Sequence, residues 1–277
     1  MVAFAVPGDP APPIRLLAAG PGPGTVLRPL GPEGLEESYA HRAGELRANL
    51  VVSLDGAVEL DGRSGALGGA ADRELLATLR ALADVVLVGA GTARSEGYGP
   101  VWVGRERMQR RERRGQAPLP TLAVVTRSAQ LDPCGRLFVE RRPDQPAPPR
   151  PVVVTCLGAP AERRRRLEDV AEVLVAGDAE VDLPKAVAEL RGRTEASGRI
   201  LTEGGPRLLG DLVGAGLLDE LCLTHSPVIA GPGRVRLTDG WSQPGTGDHP
   251  ELTLEAVHSG GGQLFARYRL VARAPRR

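Results

Sequence analysis

Three short, unbroken apolar runs constrain this chain most: Val85-Val86-Leu87-Val88, Thr121 to Thr126 and Val152 to Thr155. None alternates apolar with polar residues, so each reads as a strand covered on both faces, which is how strands of parallel sheets look. The segments between them carry helical periodicity. In Ala70 to Ala83, Leu75, Leu76, Leu79 and Leu82 form one apolar stripe. Further strands are expected at Arg47 to Ser53, Ala171 to Ala176, Arg199 to Thr202 and Leu218 to Thr224. Helices are expected at Ala161 to Glu168, Leu183 to Arg191 (capped by Asp182) and Pro206 to Ala215. The end of the chain differs. Leu252 to His258 and Gln263 to Val271 alternate around Ser259-Gly-Gly-Gly262 and read as an antiparallel hairpin. The pattern predicts an α/β fold of three layers, with a mostly parallel central sheet, helices on both faces and a C-terminal antiparallel hairpin at the sheet edge.

One such domain accounts for residues 46–277. Residues 1–45 are set apart as a Pro/Gly-rich arm. Its first dozen residues are expected to be disordered. Ile14 to Ala18 and Thr25 to Leu30 are expected to form short extended pieces on the domain surface, and Gly34 to Arg42 a helical turn or two.

Composition removes several function classes. The net charge is +1 over 277 residues and only eight residues are aromatic, which disfavours nucleic acid as a partner. The arginine runs at 105–114 and 163–166 are expected to be solvated faces. Lys185 is the only lysine and follows Pro184, so there is no Walker lysine. Cys134, Cys156 and Cys222 form no C-x-x-C pair, and His41, His225, His249 and His258 have no metal-ligand spacing. No metal and no disulfide framework are expected. No apolar run is long enough to span a membrane, and a reducing, cytoplasmic location is the default.

Two glycine turns follow strands. Gly89-Ala90-Gly91-Thr92 ends the run at 85–88, where it is either a plain turn or a place for a ligand to approach backbone N–H groups. Glu203-Gly204-Gly205-Pro206-Arg207-Leu208 joins a strand to an amphipathic helix, and the free N–H groups of a helix start suit a phosphate. Glu203 at that strand end is a candidate hydrogen-bond acceptor for substrate. In Ser53-Leu54-Asp55-Gly56, Asp55 is either a turn residue or a group at the ligand-binding end of a parallel strand.

These segments, taken in order, resemble one family. They are Asn49-Leu-Val-Val-Ser53-Leu-Asp55-Gly56, Leu79-Arg80-Ala-Leu-Ala-Asp84, Val88-Gly89-Ala-Gly91-Thr92, Glu203-Gly204-Gly205-Pro206, Ala215-Gly-Leu-Leu-Asp-Glu220 and Ser226-Pro227-Val228. The chain looks like the pyrimidine reductase of riboflavin biosynthesis, a fold similar to dihydrofolate reductase, over roughly residues 46–272. The resemblance implies reduction of 5-amino-6-(5-phosphoribosylamino)uracil to its ribitylamino product by hydride transfer from NADPH. It implies cofactor contacts at Val51, Gly89, Gly91, Thr92, Thr126, Arg127, Gly204, Gly205, Pro206, Arg207 and Leu208, with Arg127 facing the 2′-phosphate. It implies substrate contacts at Asn49, Ser53, Ser64, Arg80 and Glu203, with Arg80 either on the substrate phosphate or an ordinary helix-surface arginine. Asp55 and Glu203 are the candidates for proton handling. Family members are usually dimers, and the terminal hairpin would suit a shared sheet edge.

The chain departs from the family pattern in four ways. The bifunctional members' N-terminal zinc deaminase is absent. Asn49 stands where those members have Lys. Glu96-Gly-Tyr-Gly-Pro100 replaces an acidic pair and proline, and Ala66 stands where a Trp is common. The last two bear on substrate identity, so a paralogue acting on a pterin or another pyrimidine is the first alternative. A non-catalytic NADP-binding protein is the second.

Overall fold

The computed structural model describes residues 14–19, 28–143, 145–194, 197–232, 234–239 and 250–271. The disorder expected of the first dozen residues lies outside them. In chain order the elements are β1 (Arg15–Ala19), β2 (Arg28–Pro29), α1 (Pro32–Ser38), β3 (Leu46–Val52), α2 (Ala70–Leu82), β4 (Val85–Gly89), α3 (Ala90–Ser95), α4 (Arg105–Arg113), β5 (Thr121–Val125) and α5 (Arg136–Val139). There follow β6 (Val152–Thr155), α6 (Ala161–Glu168), β7 (Glu172–Val175), α7 (Leu183–Gly192), β8 (Ile200–Gly204), α8 (Pro206–Gly214), β9 (Glu220–His225), β10 (Leu252–Gly260) and β11 (Gln263–Leu270).

All eleven strands form one sheet, in the order β2-β1-β10-β11-β9-β3-β8-β4-β5-β6-β7. From β9 to β7 every neighbouring pair is parallel. From β9 through β11 to β2 every pair is antiparallel. The unbroken runs behave as expected of doubly covered strands. In β4, Val86 and Val88 join a core layer with Leu75, Leu79 and Leu82 of α2, while Val85 and Leu87 join the opposite layer with α7 and α8. Burying each of the three α2 leucines contributes about 1.5–3 kcal/mol, so the stripe alone anchors this helix to the sheet.

The structure changes four expectations. The hairpin is not a sheet edge: β11 pairs with β9 and β10 pairs with β1, so both its sides are occupied within the chain. Its turn is Gly261–Gly262, both at positive φ, as a two-residue hairpin loop demands. Residues before 46 enter the body of the fold: Leu35 and Tyr39 are buried in the α2-side core, and β1 extends the sheet. The arginine run at 105–114 is only partly a solvated face. Arg111 is buried and donates to the carbonyls of Ala81, Ala83 and Ala117, satisfying acceptors at the C-terminal end of α2. Arg110 and Arg114 both hold Glu36 of α1. Finally, Gly89-Ala90-Gly91-Thr92 is no free turn, because α3 starts at Ala90 directly after β4.

Candidate active site

The C-terminal ends of β3, β4 and β8 open into a cleft of about 530 Å³. Open α/β sheets present their crevice at this end of the strands. Its walls come from β3 (Asn49, Val51), the segment before α2 (Ser64, Gly68), α2 itself (Asp72, Arg73, Leu76, Arg80), α3 and the loop after it (Thr92, Glu96 to Trp102) and the β8–α8 turn (Glu203, Gly205, Pro206).

One polar knot dominates this cleft. Arg80 donates from Nε and Nη2 to the two oxygens of Glu203, each at 2.6 Å. Tyr98 donates its hydroxyl to Glu203 Oε2 at 2.5 Å, and the Arg80 guanidinium lies 5.7 Å from the Tyr98 ring centroid. A two-pronged arginine–carboxylate pair of this kind fixes both partners in orientation. Glu203 is almost fully buried and Arg80 is about a quarter exposed, so the knot faces the cleft through its arginine. Burial, then the neighbouring Glu203 carboxylate, push the Tyr98 phenol well above its ordinary value, and it remains a donor.

A second group surrounds Ser64. Its backbone N–H and its hydroxyl both donate to Glu96 Oε1, at 2.7 and 2.9 Å. The acidic residue of the unusual Glu96-Gly-Tyr-Gly-Pro100 segment thus positions the loop before α2, and its tyrosine completes the Arg80–Glu203 knot.

At the β8–α8 turn, Gly205 caps the helix at φ +36°, Gly204 lies at φ +76°, and Pro206 opens the helix. A Cβ at Gly205 would fall 2.5 Å from Thr92 Oγ1. Only glycine lets the backbone reach Thr92 here, and Gly205 and Pro206 bring the start of α8 to the cleft wall. A phosphate-bearing cofactor fits these residues.

The structure therefore brings together Asn49, Val51, Ser64, Arg80, Thr92, Glu203, Gly205 and Pro206 around one cleft. Other expected residues lie elsewhere. Gly89 is the N-cap of α3 and Gly91 is exposed beyond it. Gly204 packs against Leu50 and Leu208 is a core residue, while Arg207 is exposed. Thr126 is buried, with its N–H bonded to Val154 O. Arg127 is exposed and pairs with Glu180 at 2.8 Å.

Asp55 requires a correction. It does not line the cleft. Its carboxylate accepts from Ser53 Oγ at 2.6 Å and from the N–H groups of Ala230 and Gly231, both at 2.9 Å. The Ala230 N–H and the Ser53 hydroxyl hold it down at about 2. These donors keep the carboxylate ionised, and Asp55 ties the β3 turn to the 228–231 loop outside the cleft. Ser53 is buried in the same latch and also accepts from Ala57 N–H.

Sequence reasoning missed Asp72, Tyr98, Glu96 and the cleft arginines Arg73, Arg136 and Arg142. Asp72 looks like an ordinary first-turn acid of α2, and Tyr98 sits in an irregular segment with no period to place it. The one available signal was that 96–100 departs from the family pattern.

A mixed sheet with a glycine turn and a polar cleft at its C-terminal strand ends defines an α/β protein with a small-molecule site at the usual place for such sheets. Comparison with known proteins narrows this. The RibD C-terminal domain profile matches residues 45–265, and the chain belongs to that family. It is 28% identical over 184 residues to the 2,5-diamino-6-ribosylamino-4(3H)-pyrimidinone 5′-phosphate reductase of Archaeoglobus fulgidus, covering 66% of this chain and 80% of that protein. It is 27% identical over 221 residues to the enzyme of the same name from Methanothermobacter thermautotrophicus, covering 79% and 95%. Among solved structures, a pyrimidine reductase-like protein from Corynebacterium diphtheriae superposes with a TM-score of 0.73 at 32% identity, covering 86% of this chain and 95% of that one. Among the described residues no helix is long and apolar enough to cross a membrane, and no cluster of potential metal ligands occurs.

Proposed function

We propose that this protein reduces a ribosylamino-pyrimidine 5′-phosphate to its ribitylamino form, with NADPH as the reductant. The observation that carries the reading is the placement of the Gly205–Thr92 cradle and the Arg80–Glu203–Tyr98 knot on the walls of one cleft. When bound, a nicotinamide cofactor would supply the hydride for reduction of the C1′–N imine of the ring-opened sugar, whose nitrogen takes a proton. The protein holds the two carbons close and in line, which is the larger part of such catalysis. Of the two acids only Glu203 lines the cleft, and it is the proton-handling candidate. Arg80 gives two donors to Glu203, which leaves its Nη1, together with Arg73 at the rim, for the substrate phosphate.

NADPH is preferred to NADH in this reading because Arg127, at the end of β5, would exchange Glu180 for an adenosine 2′-phosphate. The protein works in the cytoplasm as a homodimer. Since the hairpin edge is occupied by β1, the dimer forms through a sheet face, where Leu252, Leu254 and Leu264 are exposed.

Thermal unfolding with NADPH and with NADH tests the cofactor, because a ligand of the folded state raises the midpoint according to its concentration over Kd. Strong protection by NADPH, and NADPH oxidation on adding the pyrimidine, are expected. Protection by neither cofactor would sink the reductase reading.

A further inference from the structure

Glu203 lines the cleft with most of its hydrogen-bonding capacity already assigned. An ionised carboxylate offers about four acceptor positions, two on each oxygen. Oε2 accepts from Arg80 Nη2 at 2.6 Å and from the Tyr98 hydroxyl at 2.5 Å, while Oε1 accepts from Arg80 Nε alone, at 2.6 Å. Among the described residues no further donor reaches either oxygen. One acceptor position therefore stays open, and it is on Oε1.

The chain around Tyr98 is shaped to deliver its hydroxyl. Gly97 lies at φ +65°, where only glycine turns without strain, and the turn lets the next side chain reach β8. The Tyr98 N–H donates to the Ala93 carbonyl at 2.9 Å, and Arg136 Nη1 donates to the Gly97 carbonyl at 3.2 Å. A Cβ on Gly99 would run into Glu140 Oε2, so that glycine makes room for the Arg136–Glu140 pair. The tyrosine is thus fixed from both flanks. Packing does not account for the phenol. Its ring lies 5.7 Å from the Arg80 guanidinium, and a phenylalanine ring would lie there equally well. A buried ion pair adds little net stability, so what the hydroxyl supplies is the orientation of the carboxylate.

We propose that Tyr98 is a positioning residue: by filling Oε2 it leaves Glu203 one acceptor position, on Oε1, for a single O–H or N–H donor of the ribosylamino-pyrimidine phosphate. This rests on the reductase reading above and adds the residue that orients its substrate. The contact is present in the bound substrate and in the transition state alike, so it acts on KM rather than on kcat.

The test compares wild type, Tyr98→Phe, Glu203→Gln and the double variant, using 2,5-diamino-6-ribosylamino-4(3H)-pyrimidinone 5′-phosphate and NADPH. Steady-state kinetics give KM and kcat, and calorimetry gives Kd for the pyrimidine. Tyr98→Phe should raise KM and Kd about tenfold or more, as expected for a lost hydrogen bond to a charged group. It should hold kcat within about threefold and keep the protection by NADPH against heat. In the Glu203→Gln background the same change should move KM by less than about twofold, because a residue that acts through another has no effect once its partner is altered. Gly97→Ala meets no atom within 4 Å but strains the turn that places Tyr98. It should also raise KM, and it decides alone if Tyr98→Phe does not fold. An unchanged KM, a loss confined to kcat, or additive effects in the double variant overturns the proposal. Wild-type binding without turnover overturns the reductase reading, and the Kd ratios then decide on Tyr98. Absence of binding overturns both.

Discussion

Two neighbouring strands of the sheet, β3 and β8, run parallel and end alike, each in an acid followed by glycine: Asp55-Gly56 after β3 and Glu203-Gly204-Gly205 in β8. The two ends do opposite work. After β3 the carboxylate is saturated by three donors from its own turn and from the 228–231 loop, and the turn closes on itself. In β8 the carboxylate also takes three donors, but from two side chains of distant elements, α2 and the 96–100 segment, and Gly205 after it opens onto the cleft. An acid at the mouth of a parallel strand is therefore not in itself a catalytic group. What decides is whether its donors are backbone groups that tie loops together, as at Asp55, or side chains on the walls of a cleft, as at Glu203.

Glu203→Gln breaks the comparison hardest. Arg80 and Tyr98 lose their common anchor, and misplacement of this size is expected to lower kcat/KM roughly a hundredfold. Steady-state kinetics measure it, and a value near wild type would make the β8 end as inert as the β3 end. Gly205→Ala comes next. Its Cβ would meet Thr92 at 2.5 Å, and an alanine at positive φ costs about 1–3 kcal/mol. NADPH protection in a thermal melt should vanish. Gly56→Ala, also at positive φ, should lower stability and leave that protection intact.

Ser53→Ala should destabilise by about 1 kcal/mol, the worth of a lost buried hydrogen bond, as read from a urea midpoint. KM for the pyrimidine should not change, whereas a large rise would return Ser53 to the substrate site. Asp55→Asn sharpens the contrast through pH. The Asp55 carboxyl lies at about 2 when folded, against 3.8 for an ordinary aspartate. Its contribution is thus full above about pH 4 and is lost as pH falls through about 2. Unfolding measured between pH 2 and pH 5 should lose part of this acid dependence in the variant, with turnover at neutral pH unchanged.

Much of the fold was legible because burial on two faces leaves a compositional trace. The runs at 85–88 and 152–155 could be nothing but covered strands, and Leu75, Leu79 and Leu82 could face only a core. Asp182 at the start of α7 accepts the Lys185 N–H as its position predicted. The extended pieces and the helical turns within 15–38 were legible, but their docking was not, since it rests on pairing with β10 and on Glu36 contacts to α4 that no local pattern encodes. In the cleft, Arg80, Glu203 and Gly205 were legible from ordered motifs. Tyr98 and Asp72 were not, because neither disturbs a period or completes a motif.

By itself, then, the sequence determined the layers: apolar periodicity and glycine placement follow from local sterics and from the exclusion of water, which act on near neighbours. Only the tertiary structure decided which acids serve chemistry. The state of a carboxylate depends on the donors that reach it, and for Asp55 and Glu203 decisive donors come from segments far away in the chain.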